Sequence, residues 1–211
     1  MKEEIVLIGG GGHCKACIDV IEMGEAYKIV GIVDLKEKIG QKVLGYKIIA
    51  SDRDLLDLSK EYKNFFITVG QIKSAQKRVQ IFKKLKKLNA KLPVIKSPLA
   101  KISAHSILGE GTIVMHNATI NADTKVGMNC IINSGSIIEH DVTIGNHCHI
   151  STGAIVNGYC SLDDECFIGS NATLLNNITI ANSTIIGAGS VVIKSINKSG
   201  IFVGNPARRI G

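Results

Sequence analysis

Tryptophan is absent, proline occurs 3 times, and aromatic residues make up 4% of the 211-residue chain. A core without large rings has to be built from aliphatic side chains, and a hydrophobic content of 45% supplies them. No apolar run reaches the roughly 18 residues of a membrane-spanning helix, so the sequence offers no candidate for one. The opening stretch EEIVLIGGGG lacks the charged start, apolar run and small-residue cleavage site of a signal peptide, so a cytoplasmic protein with reduced thiols is expected. Of the 6 cysteines, only Cys14 and Cys17 form a C-x-x-C pair, and no second pair completes a zinc site; no metal is expected. The absence of G-x-S-x-G and H-E-x-x-H argues against esterase and metalloprotease chemistry.

The length allows one large domain or two modest ones. The net charge of +7 is unevenly spread. Residues 1–100 hold 19 Lys and Arg against 11 Asp and Glu, or +8, and the remainder hold 6 against 7, or −1. That asymmetry marks a boundary near residue 100. A basic half attracts anions, but FKKLKKL (82–88) has apolar residues at helical spacing with lysines filling the other face, as a solvated surface helix does. With few aromatics and no matching motif, no nucleic-acid partner is expected, and no membrane partner.

The first half reads as an α/β unit. EIVLIG (4–9) is a short apolar run ending in glycine, as buried parallel strands are. That glycine opens a run of four, Gly9 to Gly12, followed by a segment with Ala16, Val20 and Met23 at helical spacing, and then a second strand over 27–34, YKIVGIVD. Phosphates bind at such strand–loop–helix turns because helix N-terminal N–H groups converge there. The G-x-G-x-x-G pattern is incomplete, since Cys14 stands where its last glycine belongs. Asp34, at the end of the second strand, falls where a ribose- or base-binding carboxylate is usual; a turn residue and a plain structural loop are the competing readings for Asp34 and the glycine run. Ser51 is a candidate cap for a helix reaching Tyr62, NFFITVG (64–70) reads as a third strand, 73–88 as an amphipathic helix, and 90–96 as extended. Gly11, Asp34 and Gly70 then share the carboxyl edge of one sheet, where ligands of open α/β folds bind.

From residue 102 every sixth residue is aliphatic, sixteen in succession from Ile102 to Val192. The fourth residue after each is mostly small, and the residue directly after each is often Gly, Asn or Asp, as corners require. This is a parallel β-helix of hexapeptide repeats, three to a coil of eighteen, about five coils in all. Its register assigns Cys130, Cys148, Cys160 and Cys166 to inward small positions as core packers.

The histidines fall outside the inward positions. His140 is set apart by its neighbours Glu139 and Asp141, because a carboxylate on one imidazole nitrogen fixes the tautomer and leaves the other nitrogen as a base. Acyl transfer from a thioester needs such a base and oxyanion donors, with neither a metal nor a covalent intermediate.

GGGGH on a small α/β domain, followed by a hexapeptide β-helix with NSGSIIEHD, GNHCHIS and a terminal VGNPARRI, resembles the sugar acetyltransferases of the sialic-acid O-acetyltransferase and bacillosamine N-acetyltransferase type, over essentially the whole chain. The resemblance implies a Rossmann-like nucleotide-sugar-binding domain over 1–98, and a left-handed β-helix that binds acetyl-CoA over 99–211. It implies His140 as general base, Asp141 as its support and Asn133 as an active-site amide. It implies that Gly11, Gly12, His13, Asp34 and Gly70 contact the nucleotide sugar. It implies that His149 and the backbone around Ser170 and Ala188 contact acetyl-CoA, and that the protein is a homotrimer in glycan biosynthesis. Many relatives carry a second acid where Leu35 stands here. The expected function is acetyl-CoA-dependent N-acetylation of a nucleotide-linked 4-amino sugar. O-acetylation of a sialic-acid-like sugar and a non-catalytic β-helix scaffold are the alternatives.

Overall fold

The computed structural model describes residues 2–210 and divides into two compact units. The first comprises the residues up to Gly70 together with Gln76–Pro98; the second comprises Gln71–Ala75 and the residues from Leu99 onward. Among the described residues, no helix is long and apolar enough to cross a membrane.

In the first unit, β1 (Glu3–Ile8), β2 (Tyr27–Asp34), β3 (Lys42–Val43), β4 (Tyr46–Ser51) and β5 (Asn64–Ile67) form one sheet in the order β3-β4-β2-β1-β5. The pairs β1–β2, β1–β5 and β2–β4 are parallel, and β3 runs antiparallel to β4. Ile5 to Ile8 and Phe65 to Ile67 are buried on both sheet faces, which is why these strands read as unbroken apolar runs. Helix α1 (Gly12–Met23) buries Cys14, Cys17, Ile18, Val20 and Ile21. Its inner face therefore includes Val20 but not Ala16 or the exposed Met23, and the two cysteines are part of that core. Helix α2 (Leu55–Glu61) starts after Asp54, whose carboxylate accepts from the N–H and hydroxyl of Ser51 at 2.8 Å, so Ser51 ends a strand instead of capping the helix. Helix α3 (Gln76–Lys87) buries Ile81, Phe82 and Leu85 against the sheet and leaves its lysines outside.

The second unit is a parallel β-helix. Two-residue strands recur every six residues from Lys101–Ile102 to Val191–Val192, and each ends on one of the sixteen aliphatic positions. Each pairs in parallel with the strand eighteen residues on, as in Ile120 with Ile138 and Ile138 with Val156, so three sheets form the faces of a prism. Residues from Val114 through Val192 fill the interior together with the small inward positions. One inward column does more than pack. Thr112 donates to the carbonyl of Gly127 at 2.8 Å, and the thiols of Cys130, Cys148 and Cys166 donate to the carbonyls of Gly145, Asp163 and Ala181 at 3.2, 3.1 and 3.3 Å.

The corner residue is not the one after the aliphatic position but the third after it. From Gly111 to Gly189 every sixth residue has a positive φ. Gly, Asn and Asp occupy most of these positions because they tolerate the left-handed conformation; His147, Tyr159, Glu165 and Ser183 are the exceptions. The glycines directly after the aliphatic residues have another cause. A β-carbon on Gly109 would stand 2.6 Å from the carbonyl carbon of Gly127 in the next coil, so coil stacking leaves it no room.

Candidate functional site

At the carboxyl edge of the first unit's sheet, Asp34 braces the glycine loop. Its Oδ2 accepts from the N–H of Gly10 at 2.8 Å and from Lys38 Nζ at 3.2 Å, and its Oδ1 accepts from the N–H of Leu35 at 2.7 Å. Burial acts to raise the Asp34 pKa, but the Leu35 and Gly10 amides and the Lys38 ammonium outweigh it and hold the carboxyl below the usual carboxylate value. A β-carbon on Gly10 would lie 2.9 Å from Asp34 Oδ2, so this approach requires glycine. Gly11 precedes the first turn of α1 and Gly12 opens it; both are exposed with open space above them, and the turn holds no acidic residue. His13 follows, with Nε2 3.4 Å from Cys17 Sγ. Burial pushes the Cys17 thiol up, so sulfur keeps its proton. Gly70 lies against His13, since a β-carbon there would be 3.4 Å from His13 Cβ. Gly11, Gly12, His13, Asp34 and Gly70 thus gather at one edge, joined by Gly10 and Lys38, which the sequence reading did not single out.

In the β-helix, His140 follows the strand Ile137–Ile138 and is exposed. Its Nδ1 lies 2.8 Å from Asp141 Oδ2. A carboxylate only accepts, so Nδ1 carries a proton, and in the neutral ring the lone pair is then on Nε2. Asp141 occupies a left-handed corner at φ 59°. Glu139, the other acid beside His140, accepts from Asn121 Nδ2 at 2.8 Å, so Asp141 alone of the two binds the imidazole. One coil on, Gly158 lies beneath the imidazole and Tyr159 packs edge-to-face on it with centroids 5.3 Å apart.

Asn133 and His149 meet each other. His149 is buried, donates Nδ1–H to the carbonyl of Gln71 at 2.6 Å, and accepts at Nε2 from the Asn133 amide at 3.1 Å. The Asn133 oxygen accepts in turn from the N–H of Ser134 at 2.8 Å, which fixes the amide's orientation. Phe167 closes over His149 edge-to-face at 5.2 Å. Asn133 follows Ile131–Ile132 and His140 follows Ile137–Ile138, strands of two different sheets, so within one chain Asn133 joins His149 and not His140. The Ser170 hydroxyl lies 3.0 Å from that of Ser151, and Ser170 passes its carbonyl to the N–H of Gly189, which places Ala188 one coil above Ser170 on the same edge.

A parallel β-helix of six-residue repeats that carries an exposed, carboxylate-supported imidazole, with an α/β unit in the same chain, defines a class of transferases. Known proteins agree. The family described as PglD N-terminal domain matches residues 4–85, and the bacterial transferase hexapeptide family matches 105–140 and 123–158. No curated protein matches the chain. Among solved structures, PerB from Caulobacter crescentus, in complex with CoA and GDP-perosamine, is 32% identical with a TM-score of 0.91, covering 99% of this chain and 97% of that one. The acetyltransferase domain of PglB from Neisseria gonorrhoeae, in complex with acetyl coenzyme A, is 29% identical with a TM-score of 0.91 and covers 100% of both chains. WeeI from Acinetobacter baumannii, 23% identical with a TM-score of 0.87 over 99% of this chain and 100% of its own, shares the fold. The chain belongs to the hexapeptide-repeat sugar acetyltransferases, with a Rossmann-like unit and a left-handed β-helix, and it is an acetyltransferase.

Proposed function

We propose that the chain transfers the acetyl group of acetyl-CoA to the amino group of a nucleotide-linked 4-amino sugar, with His140 as general base. The observation that carries the base assignment is the 2.8 Å contact between His140 Nδ1 and Asp141, which leaves Nε2 of an exposed imidazole ready to accept a proton. The amine nitrogen attacks the thioester carbonyl carbon, forming the C–N bond while negative charge moves to oxygen. Nε2 takes the proton that nitrogen loses, and Asp141 stabilises the imidazolium. Collapse of the tetrahedral adduct breaks the C–S bond, and the CoA thiolate recovers the proton from the imidazolium.

Gly11, Gly12 and His13 hold the nucleotide's phosphates at the start of α1, where N–H groups point outward and no acid competes. Asp34 serves this site by shaping its loop through Gly10, and Gly70 packs beside His13. Ser170 and Ala188, stacked on one edge, suit an extended pantetheine arm. His149 serves the same surface by holding the Asn133 amide. The relatives captured with CoA and GDP-perosamine, or with acetyl coenzyme A, support both substrates, and the description of the Caulobacter crescentus perosamine enzyme as an N-acetyltransferase favours an amine over a hydroxyl. We place the protein in the cytoplasm, as a homotrimer acting in glycan assembly.

The test is CoA thiol release from acetyl-CoA with GDP-perosamine and a panel of UDP-linked 4-amino sugars. His140→Ala is expected to lower kcat by about 10²- to 10⁴-fold, the usual range for a lost general base, with the fold intact. Full activity in that variant, or no turnover of any amino sugar by the wild type, would overturn the proposal.

A further inference from the structure

The left-handed corners on the β-helix edge that carries His140 are Asp123, Asp141, Tyr159 and Asn177. Asp and Asn accept a φ near +60° because short polar side chains bond locally there, whereas a bulky ring at that φ is strained. Tyr159 adopts φ 61°. Strain of this kind persists where surrounding structure enforces it, and it gathers at functional sites. Core packing does not compensate for it, because Tyr159 is 59% exposed.

What the ring does contact is His140, edge-to-face at 5.3 Å with an interplanar angle of 86°. The Tyr159 N–H also donates to the His140 carbonyl at 3.2 Å, tying the two residues together across one coil. The hydrogen bond from Nδ1 to Asp141 fixes one point of the imidazole. A ring held at one point can still tilt about that bond; an edge-to-face neighbour restricts the tilt. Glu139 is engaged by Asn121, and Asp141, Gly158 and Tyr159 face the imidazole.

Resting on the reading of His140 as the base, we propose that Tyr159 is a positioning residue. Its strained corner exists so that its ring clamps the His140 imidazole against Asp141, with Nε2 aimed at the incoming amine. The hydroxyl takes no part.

Tyr159→Asn removes the ring and restores corner chemistry, while Tyr159→Phe keeps the ring. With acetyl-CoA and GDP-perosamine or the best UDP-linked 4-amino sugar, Tyr159→Asn is expected to melt at or above the wild-type temperature. Its kcat should fall about tenfold, as loss of orientation does, with both KM values within about twofold of wild type. Tyr159→Phe should keep wild-type kcat. Wild-type kcat in Tyr159→Asn overturns the proposal. So does Tyr159→Phe as slow as Tyr159→Asn, which would give the hydroxyl a direct part, or a lowered melting temperature in Tyr159→Asn, which would make Tyr159 a fold residue. His140→Ala is measured alongside. Full activity there fails the base assignment, whereas an inactive His140→Ala beside a fully active Tyr159→Asn fails the clamp alone.

Discussion

The imidazole of His140 occupies the space that a β-carbon on Gly158 would need, 2.9 Å from Cε1 and 3.0 Å from Nε2. The two residues are one coil apart, so the coil beneath the base is shaped to receive it. Gly158 does not have a positive φ, and alanine is compatible with its backbone. Gly158→Ala is therefore expected to fold normally and to push the imidazole off its station. Displacement by about 1 Å at a reacting centre costs on the order of 100-fold in rate. Steady-state kinetics beside a melting curve checks this; an unchanged kcat would mean the ring has slack.

Asp141 combines a backbone task with an electrostatic one. Asparagine also tolerates a φ of 59°, so Asp141→Asn keeps the corner while removing the charge that stabilises a protonated imidazole. The expected result is an unchanged melting temperature and a kcat lower by about 10- to 100-fold, a part of the full general-base contribution. Asp141→Ala should lose stability as well as rate.

Asp34 makes the first unit sensitive to acid. Its folded pKa lies below the ordinary value of 3.8, so the ionised form favours folding. The contribution is fully present above that ordinary value and is lost as pH falls through the lower folded one. Denaturation at pH 7 and near pH 3 should show wild type more stable than Asp34→Asn at the higher pH, with the gap closing at the lower one. A gap that widened in acid would contradict the hydrogen-bond pattern at Gly10 and Leu35.

The inward thiols are structural donors. Cys148 is fully buried, and its Sγ donates to the carbonyl of Asp163 at 3.1 Å. Cys148→Ala leaves that carbonyl without its partner and should cost about 1–3 kcal/mol, measured by chemical denaturation. Cys148→Ser keeps a donor and should cost less. A thiol reagent should find the cysteines unreactive until the chain unfolds, since Cys14, Cys17, Cys130, Cys148, Cys160 and Cys166 are all buried.

The β-helix is readable in the sequence because its period comes from stacking, which repeats the same constraint at Ile120, Ile138, Val156 and Leu174. His140 is readable because the register places it outside the core next to Asp141. The position of the left-handed corner is also encoded, in Asn117, Asp123, Asn129, Gly135 and Asp141, but the glycines after the aliphatic residues mask it. Tyr159 then departs from that series, as His147, Glu165 and Ser183 do, and on the edge that carries His140 it is the one departure between Asp123 and Asn177, a signal that only the correct register exposes. The hairpin of β3 and β4 is missed because its first strand is only Lys42–Val43, although Leu44 and Gly45, both at positive φ, turn it. The pairing of Asn133 with His149 has no local signal at all. Sixteen residues separate them, and the third member, Gln71, is 78 residues from His149.

Pairing between strands eighteen residues apart also makes this half of the molecule a ruler with one mark per coil. Strands stack about 4.8 Å apart, so the distance along an edge from Ser170 to Ala188, or from His140 to Gly158, changes only in steps of that size. Inserting or removing eighteen residues preserves every inward column and moves one mark. A single inserted residue instead turns each later aliphatic side chain toward solvent. Variation that reaches a longer or shorter acyl carrier by this route must come in whole coils.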